Sequence, residues 1–254
     1  MLMEVGVPGK DLKVLCVIPA RYNSSRFKGK PLALIKGVPM IKRTYMQSVK
    51  SKLLDLVVVA TDDNRIFDYC ISENIEVVMT SDKCLTGTDR LAELIQKKEF
   101  SEYDFYINVQ GDEPIIDPIA IDQLVDMYKK YGNYYIAYNL YKMIDQTEKI
   151  NSKTIIKVIV NQNDELMYMS RLPVPYSNSN LHPIHKMQVP VYGYTSRALE
   201  LFSQNQKTIN EKFEDIELLR FSDLGYKVKM LMTNITSIAV DVPDDVKKVE
   251  LFIN

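Results

Sequence analysis

The chain is poor in thiols and imidazoles, which excludes several kinds of chemistry at once. Cys16, Cys70 and Cys84 are odd in number and form no CxxC pair, so neither a disulfide framework nor a cysteine-rich metal centre is expected, and reduced thiols are the natural reading. His182 and His185 are the only histidines. They flank Pro183 in a polar loop without matching carboxylates, and read as loop residues rather than as a zinc pair. No run approaches the roughly 18 apolar residues of a membrane span, and the start MLMEVGVPGKDLK lacks the basic and apolar regions of a secretory signal. A cytoplasmic protein without a membrane partner is expected. An excess of either charge is missing too: 32 Lys and Arg stand against 33 Asp and Glu, for a formal net charge of -1. No global basic field draws the chain to nucleic acid, so any phosphate binding must be local. The glycines of GxxxxGK[ST] and GxGxxG are also absent, which removes the P-loop and dinucleotide-binding readings.

What is present is average for a globular protein, with 46% hydrophobic and 26% charged residues over 254 positions. No linker or low-complexity stretch divides the chain, and residues 1–254 read as a single domain. Val14 to Ile18 is a continuous apolar run ending at Pro19, as expected for a strand covered on both faces. A basic loop follows, then a helix over Met40 to Lys50 and a second apolar run over Leu56 to Ala60. The alternation continues with helices over Asn64 to Glu73 and Thr88 to Lys98, and strands over Glu76 to Met79 and Phe105 to Val109. Strands alternating with helices predict a doubly wound, Rossmann-like α/β sheet that is mainly parallel. Beyond it, Tyr134 to Tyr141, Ile155 to Val160, Glu165 to Arg171 and Val189 to Thr195 are β-rich and predict a smaller antiparallel portion. A helix begins at Ala198 to Phe202, another is expected over Phe213 to Leu224 ended by Gly225, and a strand over Lys227 to Met232 precedes a last helix over Asp244 to Phe252.

The loop Ala20-Arg21-Tyr22-Asn23-Ser24-Ser25-Arg26-Phe27-Lys28-Gly29-Lys30-Pro31 follows the first strand directly. Ligands of open α/β sheets bind at the carboxyl ends of strands. Arg21, Arg26 and Lys30 offer two guanidinium forks and an ammonium, a suitable set for a triphosphate, and Gly29 permits close backbone approach. A charge cluster of this kind is otherwise a solvated loop; the position after the first strand favours phosphate. In Asn108-Val109-Gln110-Gly111-Asp112-Glu113-Pro114 a second apolar strand ends in a carboxylate, and Asp241 follows the short run Ala239-Val240. Either aspartate alone also suits a turn or a helix cap. Together, at strand ends, they suit Mg2+, which takes one or two carboxylates plus phosphate oxygens and water.

The segments IPARYNSSRFKGKPL, VATDD, TGTDRLAE, INVQGDEP, YMSRLPVPY, VYGY, EDIELLR and VDVPDD, in that order, resemble the 3-deoxy-manno-octulosonate (Kdo) cytidylyltransferases over nearly the whole chain. The resemblance implies a nucleotide-diphospho-sugar transferase type of fold and transfer of CMP from CTP to a small acidic acceptor with release of pyrophosphate. It implies that Arg21 and Lys30 hold the CTP phosphates with help from Arg26, that Ala20, Ser25, Thr88 and Arg90 contribute to the nucleotide site, and that Asp112 and Asp241 carry the magnesium. Thr88 equally suits the cap of the following helix, with Asp89 in its first turn. For the acceptor the resemblance points to Gln110, Arg171, Gln188, Tyr192 and Glu217, with Arg171 suited to a carboxylate by its fork.

Two departures bear on the acceptor. Gln188 stands where the family carries His, and Leu218 where it carries Gln, so polar partners for a sugar are expected to change. Kdo or a related sugar acid is the first expectation. A non-sugar acid phosphate such as phosphoglutamine, and a catalytically silent nucleotide-binding protein, are the alternatives. A homodimer is implied by the resemblance, with residues 165–200 as the candidate interface segment.

Overall fold

The computed structural model describes residues 11–23, 26–144, 147–178, 183–235 and 237–253. β1 (Val14–Ala20) is the centre of the molecule. Its residues are buried on both sides, and side-chain alternation sends Val14, Cys16 and Ile18 into one core layer and Leu15 and Val17 into the other. A short hairpin, β2 (Leu34–Ile35) and β3 (Val38–Pro39), leads into α1 (Met40–Ser48) and β4 (Leu56–Thr61). α2 (Asn64–Ser72), β5 (Val77–Met79), α3 (Gly87–Leu94), β6 (Phe105–Val109), α4 (Pro118–Tyr131) and β7 (Ala137–Met143) continue the alternation. Then come α5 (Thr147–Ile150), β8 (Lys157–Val160), β9 (Leu166–Ser170), β10 (Lys186–Thr195), α6 (Ser196–Gln204), α7 (Ile209–Glu214), α8 (Leu219–Asp223), β11 (Val228–Met232) and α9 (Pro243–Glu250).

The main sheet runs β11-β7-β10-β6-β1-β4-β5. β6, β1, β4 and β5 pair in parallel, β10 runs against both β6 and β7, and β11 is parallel to β7. β10 is therefore the one reversed strand along that path, and the antiparallel hairpin β8–β9 branches off it. Residues of α1, α2 and α4 share the core layer of Cys16 and Ile18, while those of α3, α6 and α8 share that of Leu15 and Val17. The expected α/β sheet, mainly parallel with an antiparallel part, is what the chain forms.

Two elements differ from expectation. The sequence reading assigns no element to residues 118–131, where α4 forms: Pro118 occupies its first turn, where a missing N–H costs nothing, and Asp117 caps it by accepting from the Ile119 N–H at 2.9 Å. The helix predicted over 213–224 is two helices, α7 and α8. Asp215 between them is left-handed, with φ 52°, and its break turns the following Glu217 toward the middle of the molecule.

Candidate active site

β1 sits between β4 on one side and β6 on the other, so the chain reverses its direction of winding there. The loops leaving the carboxyl ends of these strands meet above that point, the usual ligand position in such sheets. They enclose a cleft of about 320 Å³ lined by Pro19, Ala20, Arg21, Lys30, Gly87, Arg90, Gln110 and Asp112, among others. The first loop is closed by the Gly29 N–H, which donates to the Tyr22 carbonyl at 2.8 Å. Gly29 has φ 73°, and a Cβ there would lie 3.2 Å from the Tyr22 ring. This turn returns Lys30 to the sheet edge, followed by buried Pro31. A Cβ on Gly111 would lie 2.6 Å from the Pro19 carbonyl oxygen, so only glycine lets the turn after β6 press against the end of β1. Ser25 lies outside the described residues.

At one end of the cleft two guanidiniums share a buried space. Arg90, fully buried on α3, donates to Asp62 Oδ2 at 2.6 Å and to Thr80 Oγ1 at 2.5 Å. Its Nε and the Nη2 of Arg21 are buried without a partner. Burial, and then the neighbouring Arg90 charge, lower the Arg21 pKa from its ordinary value, with Asp62 opposing them. Buried donors of like charge left unpaired are costly, and an anion in the cleft satisfies both.

At the other end stand the two aspartates. Lys30 Nζ lies 2.7 Å from Asp112 Oδ2 and 3.9 Å from Asp241 Oδ1, and Arg26 Nη2 lies 2.9 Å from that same Asp241 oxygen. The Val240 N–H donates to the Asp112 carbonyl at 2.9 Å, which ties the two aspartate-bearing segments together. Glu113, 1% exposed, accepts from the Ser237 hydroxyl. Burial, followed by the Asp112 charge, pushes its carboxyl up to about 8. Among the described residues no group of three or more His, Cys, Asp and Glu is clustered for a metal. Two carboxylates facing one position, with the rest of the shell left for phosphate and water, nevertheless match what Mg2+ prefers.

A polar wall continues from the cleft along β6 and β10. Tyr192 is registered opposite Asn108, and residues opposed in a ladder share a face. Gln110 donates to Asn108 Oδ1 at 3.2 Å, and Gln188 donates to the Tyr192 hydroxyl. Asn108 Nδ2 and Gln188 Oε1 are buried without partners, one a donor and one an acceptor. The start of α3 leans on this face, since a Cβ on Gly87 would lie 3.1 Å from Pro19 and 3.4 Å from Asn108 Nδ2. The Thr88 N–H donates to Glu217 Oε2 at 3.1 Å, and its hydroxyl pairs with that of Tyr194 at 3.2 Å. Burial raises the Glu217 pKa.

Several expectations need correction. The cap of α3 is Thr86, whose hydroxyl accepts from the Asp89 N–H while Asp89 accepts from the Thr86 N–H. That frees Thr88 to face the wall. Leu218 is fully buried in the core layer of Tyr194 and Phe202, so its replacement of a polar residue alters packing and not a pocket surface. Arg171 is turned to the fold: its guanidinium donates to the carbonyls of Glu214, Asp215 and Lys153, and it does not line the cleft. His185 Nδ1 bonds the Val174 carbonyl at 2.9 Å, and His182 lies outside the described residues. Asp62, Asn108, Glu113 and Ser237 join the site without being expected. Asp62 belongs to VATDD, Asn108 and Glu113 belong to INVQGDEP, and nothing local marks Ser237.

The Cytidylyltransferase family model matches residues 15–230. The chain is 38% identical over 242 residues to the 8-amino-3,8-dideoxy-manno-octulosonate cytidylyltransferase of Shewanella frigidimarina, covering 94% of this chain and 98% of that one. It is 37% identical over 238 residues to the 3-deoxy-manno-octulosonate cytidylyltransferase of Fusobacterium nucleatum, covering 94% and 96%. Among solved structures it is similar to CMP:2-keto-3-deoxy-manno-octonic acid synthetase complexed with CTP, with TM-score 0.88 and 33% identity over 95% of this chain and 98% of that one.

Proposed function

The chain belongs to the CMP-Kdo synthetase family of cytidylyltransferases, and on that premise we propose that it transfers CMP from CTP to Kdo or its 8-amino congener, with Mg2+ held by Asp112 and Asp241. The observation that carries this reading is the charge layout of the cleft. Arg21 and Arg90, each with an unpaired guanidinium donor, line the same cleft as Lys30 and Asp112, and Lys30 is in reach of both aspartate carboxylates. A triphosphate laid along it meets cations at its oxygens and leaves the aspartates for a metal. An acceptor hydroxyl oxygen attacks the α-phosphorus, the bond to the β-phosphate oxygen breaks, and pyrophosphate leaves. Bound Mg2+ would supply charge neutralisation at the phosphates. Arg21, Arg26 and Lys30 orient the chain of phosphates and offset its charge, so catalysis is positioning and electrostatics without a protein nucleophile.

On the acceptor side, the orphaned Asn108 amide and Gln188 carbonyl suit a ligand rich in hydroxyls, which can both accept and donate. The sugar-acid substrates in the names of the relatives favour a sugar acid over phosphoglutamine. The 8-amino form is a second reading favoured by the 38% identical relative. Pyrophosphate release from CTP, followed with Kdo, 8-amino-Kdo and phosphoglutamine in parallel, tests these readings. Turnover with either sugar acid is expected, and turnover with phosphoglutamine alone would overturn the sugar assignment. Silence with every acceptor would restore the binding-protein alternative.

A further inference from the structure

Residues 237–242, which carry Asp241, belong to no helix or strand and are linked to the sheet edge by few bonds. A metal ligand on such a segment needs external fixing. The Asp241 and Val242 N–H groups donate to Asp245 Oδ2 at 3.0 and 3.1 Å, which orders the entry to α9. The side chain of Val240 is fully buried with Ile35, Met40 and Val249. Among the described residues three links run toward Asp112 itself: Lys30 Nζ, which lies between the two aspartate carboxylates, the Val240 N–H to the Asp112 carbonyl, and the Ser237 hydroxyl to Glu113, which alone holds the start of the segment. Glu113 is 1% exposed, so its hydrogen bond with Ser237 is made in the interior, where water does not compete for either partner, and it joins the residue after Asp112 to the segment that carries Asp241.

We propose that Glu113 and Ser237 are positioning residues which clamp the Asp241 segment onto the turn after β6, holding the two metal-binding aspartates at a fixed separation. The clamp lies behind the carboxylates rather than in the cleft; neither residue lines it. Loosening it should spread the aspartates and weaken cation binding while leaving the phosphate-binding guanidiniums in place. The inference rests on the reading of Asp112 and Asp241 as metal ligands.

The test is direct binding of Mn2+, followed by electron paramagnetic resonance on the full chain with CTP and no acceptor. Ser237→Ala is expected to weaken Mn2+ binding about tenfold or more, as loss of a ligand-orienting contact commonly does. CTP binding, and the melting temperature without ligands, should stay near those of the parent. Ser237→Thr should restore Mn2+ binding, and Glu113→Gln, which can still accept from Ser237, should retain most of it. Unchanged Mn2+ binding in Ser237→Ala would overturn the clamp, as would a loss matched by a fall in melting temperature. An equal loss in Glu113→Gln would make Glu113 a ligand and also overturn it. Asp112→Asn and Asp241→Asn separate the two ideas: if they lose Mn2+ while Ser237→Ala does not, the clamp fails alone, and if they too bind normally the metal reading fails.

Discussion

Asp112 and Asp241 are brought together from positions far apart in the chain, and each pairs with a cation of the first loop. Asp112→Asn and Asp241→Asn should each lower turnover by about 10²–10³, the usual cost of removing one transition-state electrostatic contact. Both side chains are partly exposed, so the melting temperature should hardly move; pyrophosphate release and thermal melts check the pair. Near-normal turnover at limiting Mg2+ would remove that residue from the site. Leu218 makes the opposite case. Its place in the sequence suggests an acceptor contact, yet the side chain is fully buried among apolar groups. Leu218→Gln should therefore bury an unpaired amide at a cost of about 1–3 kcal/mol. Stability should drop with no change in the ratio of kcat/KM between Kdo and 8-amino-Kdo, and an altered ratio at unchanged stability would return Leu218 to the pocket. Composition cannot separate these cases: a residue's distance from a ligand depends on where the chain turns, and here the turn at Asp215 decides it.

At the scale of elements, buried strands were the most legible feature. β6, expected over Phe105 to Val109, has those bounds, because a run this short and rich in aromatic and β-branched residues, ended by a Gly-Asp turn, reads as a strand rather than a helix. Helices were less legible wherever a cap or a break outweighed periodicity, as with Pro118 at the start of α4 and the left-handed Asp215 between α7 and α8. The EDIELLR segment shows both sides. Its Glu217 reaches the wall, whereas Arg220 is structural: Nε and Nη2 bind Glu211 at 2.7 and 2.6 Å, and Nη1 binds the carbonyls of Phe202 and Asn205 at 2.7 and 2.9 Å. With Arg220 4% and Glu211 0% exposed, this one guanidinium joins α6, α7 and α8. Arg220→Ala strands a buried carboxylate and should cost about 3–5 kcal/mol. Denaturant titration should show the loss. A change well below that range would mean that the helices hold together without it.

For the whole molecule, the topology is readable up to β6 because each main-sheet strand there, β1, β4, β5 and β6, pairs in parallel and a helix lies between each and the next. The reversal at β10 was visible only as a region rich in β-formers, since the sequence does not state which earlier strand a later one joins. The same region bears on assembly. Residues 165–200 contain β9, the outer strand of the hairpin β8–β9 that branches from the main sheet, and the loop that follows it. Met167, Leu172, Tyr176 and Ile184 are 58%, 61%, 86% and 66% exposed there. Large apolar groups gathered on one projecting element are costly in water and commonly mark a contact surface. A second copy of the chain is the occupant we expect. The core of such an interface is apolar and aromatic with charge at its rim, as these side chains would provide. Light scattering at micromolar concentration should therefore give twice the 29.3 kDa chain mass. Met167→Asp combined with Tyr176→Asp should return the single mass while leaving the cleft, which neither residue lines, able to bind CTP. A single-chain mass for the unaltered protein would show that this surface is not a dimer contact. A dimer that survives both charges would place the interface on another face.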